Sequence, residues 1–166
     1  MAYYELRGSL FADRRRQSEN GQSIVEMACV LLLLFFLIFA ISDFSRLFYV
    51  YQSLEHGVSE ATRYGITGQQ MPDPDNPGEY LSREDSMKRI MRKFNPTIML
   101  DDSAFTFEHL DGAAWVAGYG GPNDISRMMV RYSFRPVCPL ISAIFTDGQV
   151  PLRVSSAMKN EGFPTP

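Results

Sequence analysis

Fifteen consecutive residues, 27–41 (MACVLLLLFFLIFAI), carry no charge and almost no polarity. Ile24 and Val25 continue the run upstream of Glu26, and Ser42 closes it, so the apolar segment covers 24–42. A bilayer core asks for about 20 helical residues, with tolerance to about 17, because each residue rises about 1.5 Å. Residues 24–42 meet that length when Glu26 sits at the interface. A helix that is apolar on every side can otherwise be buried only inside a large globular domain. Residues 43–166 are too few to enclose one. The segment therefore reads as a single membrane-spanning helix near the N-terminus.

Overall composition conceals this, since 45% hydrophobic and 21% charged residues are ordinary for a soluble protein. At 166 residues there is room for the anchor and one modest domain. The flanks set an expected orientation. Arg7 and the run Arg14, Arg15 and Arg16 precede the span, whereas Arg46 is the only basic residue between it and Arg63. Basic loops stay cytoplasmic, so residues 1–21 form a cytoplasmic leader and residues 43–166 lie outside; Glu5, Asp13 and Glu19 count for little in that rule. A formal net charge of −3, with no basic cluster interleaved with aromatics, argues against nucleic acid as a partner.

A cleaved secretory signal would need a small-x-small site after the apolar run. The residues at that place are Ser-Asp-Phe-Ser-Arg-Leu-Phe-Tyr, which are bulky, and the apolar pattern continues as a stripe. Ile41, Phe44, Leu47, Phe48, Tyr51, Leu54, Val58 and Ala61 recur at three- and four-residue steps, interrupted by Glu55. No proline precedes Pro72. One helix over about 22–66 is expected, with the span at 24–42 and an amphipathic stalk at 43–66. Gly57 and Gly65 weaken it only locally. Its length would be roughly 65 Å, and its lower half would stand clear of the bilayer. Glu26, Phe44, Leu47, Phe48 and Tyr51 are the candidate residues for helix–helix assembly.

Glu26 is expensive where it stands. An ionised carboxylate at the bilayer margin costs on the order of a few kcal/mol without a compensating partner. Cleavage after Gly21 would free the α-amino group of Gln22, which could pair with Glu26 of a neighbouring subunit. Equally, Glu26 could snorkel to the headgroups, where the helix N-terminus favours a carboxylate. Residue types alone do not choose between these.

The segment Gly21-Gln-Ser-Ile-Val-Glu-Met-Ala, the apolar run, the Asp43-Phe-Ser-Arg exit and the Ala61-Thr-Arg-Tyr-Gly stretch together resemble the TadE-like family. These are minor pilins, or pseudopilins, of the tight-adherence (Flp-type) pilus. The pattern covers residues 21–68, and Val154-Ser-Ser-Ala-Met-Lys-Asn-Glu resembles the closing strand of such proteins. The resemblance implies cleavage after Gly21 by a prepilin peptidase, with Glu26 as the position that peptidase and assembly require. It also implies other pilin subunits, the inner-membrane pilus platform and the lipid bilayer as partners. The implied location is the bacterial inner membrane, single-pass, with the C-terminal domain periplasmic and an extracellular pilus or its tip as the destination after assembly.

Downstream, 68–78 (GQQMPDPDNPG) cannot continue a helix and reads, within 67–80, as an exposed linker. The remainder, 81–166, is expected to be an α+β ectodomain. Its helix over 82–94 starts at a capping-box-like Ser82 and Asp85 and stops at Asn95-Pro96. Met87, Ile90, Met91 and Phe94 form the apolar face; Lys88, Arg89, Arg92 and Lys93 form a basic face that reads as solvated. Three strands come after it. The first puts Phe105 and Phe107 opposite Thr106 and Glu108. The second puts Met128, Val130, Tyr132 and Phe134 opposite Arg127, Arg131, Ser133 and Arg135. The third puts Val150, Leu152, Val154 and Ser156 opposite Arg153 and Ser155. One apolar and one wet face describe an antiparallel sheet of three or more strands packed on a helix, either the stalk or 82–94.

No catalytic residues, metal site or cofactor are expected. His56 and His109 lack a second ligand at metal-site spacing. Gly118-Tyr-Gly-Gly lacks a following Lys-Ser/Thr and reads as a turn, and no serine occupies a nucleophile elbow. Cys29 lies in the span and Cys138 in the ectodomain, too far apart to bridge within one chain. Cys138 reads as a small buried hydrophobe, with an intermolecular bridge as the other option. Two functions fit: a processed pilus-assembly component, or an uncleaved bitopic anchor whose ectodomain binds a secretin, an adhesin or another envelope partner. Gly21 and Glu26 favour the first, because a plain anchor needs neither.

Overall fold

The computed structural model describes residues 2–145 and 147–163, with side chains at 21–139, 141–145 and 147–163. Helix α1 runs Ala2–Gly65. It begins upstream of the expected start near Gln22. The leader contains no proline and no β-branched residue and is rich in Ala, Glu, Leu and Arg, so its composition favours helical backbone. The leader arginines lie outside the described side chains. The chain divides into two compact units, Met1–Asp43 and Phe44–Pro166.

In the first unit every described side chain from 21 to 39 is exposed, among them Leu32 at 73% and Leu33 at 68%. By length and composition this helix can cross a membrane, and none of the described residues covers it.

The second unit is α+β. The stalk portion of α1 contributes Leu54, Val58 and Ala61 to its core, together with Met87, Ile90 and Met91 of helix α2 and Phe105, Phe107, Met128, Val130 and Val154 of the sheet. Both helices expected as cover therefore meet the sheet residues in one cluster. Helix α2 (Arg83–Phe94) is built as its sequence suggests. Ser82 caps it, its Oγ accepting from the Asp85 N–H at 3.0 Å and donating to the Asp85 carboxylate at 2.6 Å. Phe94 is the exception on its apolar face, 44% exposed and edge-on to His56. Gly57 and Gly65, which lower helix propensity, sit at close approaches: a Cβ at either would force Asn95 and Met91, or Met87, to shift.

Among the described residues the sheet has four antiparallel strands, within the expected three or more, in the order β2-β1-β3-β4; one of them was not singled out in the sequence. They are β1 (Phe105–Asp111), β2 (Ala114–Ala117), β3 (Ile125–Phe134) and β4 (Val150–Lys159). A 3-10 turn at Asp102–Ala104 leads into β1, and helix α3 (Pro139–Ser142) lies between β3 and β4. The added strand β2 is short, exposed throughout and without clear alternation, so hydrophobic patterning misses it. Its available signal is Asp111-Gly112. Asp111 pairs with Ala114 across a two-residue turn, and Gly112 takes φ 61° at the position where such hairpins call for glycine. The expected faces of β3 and β4 are observed: Met128, Val130, Phe134 and Val154 are buried, while Arg131 and Arg153 are exposed.

The proline-rich stretch is exposed but is a docked excursion within the second unit, not a spacer between domains. Pro72 bridges to Tyr80, Leu81 N–H donates to Met71 C=O at 2.8 Å, and Met71 N–H donates to Ser86 Oγ at 2.9 Å. The stalk and the residues after the excursion share one core, so the unit boundary falls at Asp43/Phe44.

Candidate functional site

The candidate site begins where the exposed apolar helix begins. Gln22 and Glu26 stand one turn apart, and Gln22 Nε2 donates to Glu26 Oε1 at 2.9 Å. Both are exposed, and among the described residues no cation is in ion-pair contact with Glu26. The amide supplies one neutral donor to a carboxylate with room for several more. Gly21 differs from Gly57 and Gly65. A Cβ there would meet nothing within 4 Å, so internal packing does not call for glycine at 21.

The residues expected to serve helix–helix assembly do not form one free face. Phe44 (69% exposed) and Phe48 (54%) are open, and Tyr49 (67%) joins them although the sequence pattern does not single it out. Leu47 is half-buried, and Tyr51 is partly buried against the protein's own core. The stripe changes role along its length, since Leu54, Val58 and Ala61 are sequestered completely.

At the far end of α1 a polar clasp holds the sheet to the helix. Asn160, just past β4, donates from Nδ2 to Gly121 C=O (2.7 Å), Ser126 Oγ (2.9 Å) and Tyr119 C=O (3.3 Å). Ser126 Oγ also donates to Tyr119 C=O. Tyr119 OH donates to Thr62 C=O at 3.3 Å, and Glu161 N–H donates to Ile66 C=O at 2.9 Å. The Arg83 guanidinium lies 4.8 Å from the Tyr119 ring centre and 5.1 Å from that of Phe163. Burial raises the Tyr119 hydroxyl to about 12 and lowers the Arg83 guanidinium from its usual value. The Gly118–Asp124 region is the turn expected, with positive φ at Gly118, Gly120 and Asn123. That Tyr119 within it is 3% exposed and part of the core is not legible from a run of turn formers. The clasp is structural, and it fixes β4 against the end of the stalk.

The remaining reactive side chains are scattered. His56 packs on Phe94, and His109 Nδ1 is 2.9 Å from Gly118 C=O. Cys29 is exposed within the apolar helix, and Cys138 is buried as a thiol. A shallow cavity of about 390 Å³ opens between the stalk and α2, lined by Glu60, Arg63, Tyr64, Met71, Lys93 and Phe94, among others.

Residues 21–63 match the family model described as TadE-like protein. The segment beginning at Gly21 is similar to the TadE-like family. The match starts at Gly21 itself, takes in Glu26 and the whole apolar run, and ends within the buried part of the stalk. Residues 64–166 lie outside it. No curated protein and no solved structure matches the chain. The matched segment contains the helix that is long and apolar enough to cross a membrane.

Proposed function

We propose that this protein is a minor pilin, or pseudopilin, of a tight-adherence pilus: a non-enzymatic assembly component cleaved after Gly21. The observation that carries this reading is the TadE-like match beginning at Gly21, a glycine with no packing role, five residues before a carboxylate with no cationic partner among the described residues. A prepilin peptidase would remove residues 1–21 and leave Gln22 as the N-terminus. The new α-amino group would be the charge that Glu26 lacks, supplied by a neighbouring subunit when helices pack in the fibre or its initiating complex. Phe44 and Phe48 would extend that contact past the span. The anchor would be held in the inner membrane, with the α+β unit on its periplasmic side, until assembly extracts it.

N-terminal sequencing of the chain from membrane and sheared-surface fractions tests this. Gln22 is the expected first residue, and chains that all begin with Met1 would refute processing while leaving an uncleaved anchor that binds an envelope partner. Glu26→Ala is expected to leave membrane insertion intact and to remove the chain from assembled fibre or its initiating complex. Retention of assembly in that variant would refute the pairing role.

A further inference from the structure

We propose that the tip 136–145 and the arginines beside it form a second membrane contact, seated in the interfacial layer of an anionic bilayer. This rests on the reading of 24–42 as a span. Arg46 lies in the stalk portion of α1, four residues beyond Ser42 in sequence. Its guanidinium lies 5.5 Å from the centre of the Phe134 ring. Phe134 ends β3 and pairs with Val150, which begins β4. The excursion between these strands therefore leaves the sheet at the end beside the first turn of the stalk.

Residues 136–145 contain no charged side chain, and they present Ile144 (78% exposed) and Val137 (66%) to solvent. The wet face of the sheet next to them is basic. Arg131 stands directly opposite Arg153 in the β3–β4 register, an unfavourable like-charge pairing, and Arg135 comes next on the same face. Asp147 is the only acidic residue from 131 to 153. Among the described residues no carboxylate lies in ion-pair contact with any of the three; Gln149 can offer Arg135 only a neutral amide oxygen. Further along the same face the charge is met locally. Arg127 bonds Glu108 at 2.6 Å and lies 4.0 Å from the centre of the Trp115 ring.

An uncharged apolar tip with a skirt of unneutralised arginines is the pattern of a segment that rests in an anionic interface. Headgroup phosphates would supply the negative charge that the Arg131–Arg153 pair lacks. A protein partner could also cover the tip, but the arginine skirt beside it matches the charge of an anionic headgroup layer. A second contact would restrain the α+β unit at the membrane until it is withdrawn.

The test uses the full chain with Trp115→Phe, reconstituted in vesicles of phosphatidylcholine alone or mixed with phosphatidylglycerol, with brominated lipids as quenchers. The Ile144→Trp indole is expected to shift to the blue and lose most of its emission to brominated lipid in the anionic vesicles. Tyr80→Trp, on the proline-rich excursion, is expected to remain unquenched. Arg131→Gln and Arg153→Gln should each lower the lipid-contacting fraction about fivefold, with unchanged circular dichroism. An indole at 144 that stays accessible to acrylamide, in a chain that resists alkaline extraction, overturns the proposal while the span stands. Extraction of the chain by alkali overturns both. Shielding that depends on protein density and not on brominated lipid assigns the tip to a protein partner and also overturns the proposal.

Discussion

Leu34 and Leu54 lie on the same helix in opposite circumstances. Leu34 is 46% exposed among neighbours that are all apolar, whereas Leu54 is completely buried on a stripe flanked by polar residues. The first region has no direction in which to bury itself, because every side of the helix is equivalent. The second has one apolar side and therefore one partner, the core shared with α2 and the sheet. Apolar content alone does not make a core. Asymmetry around the helix axis does, and its absence over 24–42 is what makes a lipid environment the matching solvent.

That contrast can be broken most directly by truncation. Leu54→Ala is expected to destabilise the α+β unit by about 2–5 kcal/mol, the usual cost of emptying a buried leucine site. Leu34→Ala should leave the stability of the same unit within about 0.5 kcal/mol. Chemical denaturation followed by near-ultraviolet circular dichroism compares the two, and equal losses would show that the regions are one folding unit. Leu33→Arg reverses the emphasis. It should oppose membrane insertion by about 3 kcal/mol at the centre of the span and leave the α+β unit folded, as read by alkaline extraction beside protease resistance.

The clasp offers a smaller effect, with a sign set by its burial. The folded-state value of Tyr119 lies near 12, above the ordinary value of 10, so the unfolded chain loses this proton first. Stability from the neutral hydroxyl is complete below pH 10 and declines as pH rises toward 12, by roughly 2 kcal/mol. Tyr119→Phe should cost about 1 kcal/mol at neutral pH, from the lost bond to Thr62 C=O, and should flatten this alkaline decline. An unchanged decline in the variant would place its origin elsewhere. Smallest is the cap of α2: Ser82→Ala should cost about 1 kcal/mol, measured as a shift in the denaturation midpoint. Asp85 sharpens the same point. Its hydrogen bonds from Ser82 and Lys88 hold its carboxyl below the usual value, so its contribution is present above the ordinary carboxylate range and is lost as pH falls through the lowered one.

Much of the architecture was legible because it rests on short-range periodicity. The span, the capped helix ending at Asn95 and the alternating faces of β3 and β4 all arise from residues a few positions apart. Strand β2 was not, because a four-residue exposed edge strand is held by its pairing with β1 and has little pattern of its own. Of the site, Gly21, Gln22 and Glu26 were visible as residue types. The division of the stripe was not, since Tyr51 and Phe48 look equivalent in sequence and differ only in what packs against them.

By itself the sequence determined a candidate membrane span, because fifteen apolar residues run without a break and hydropathy needs no partner to be expressed. It determined the likeness over 21–63 for the same reason, the motif being local. Only the tertiary structure decided that Leu54, Val58 and Ala61 belong to the α+β core and that Phe44 and Phe48 do not. The same holds for Tyr119, which joins the core from within a turn, and for Arg131 and Arg153, which meet across two strands. Those outcomes depend on contacts between residues far apart in the chain, and such contacts exist only once the sheet and the two helices have closed on one another.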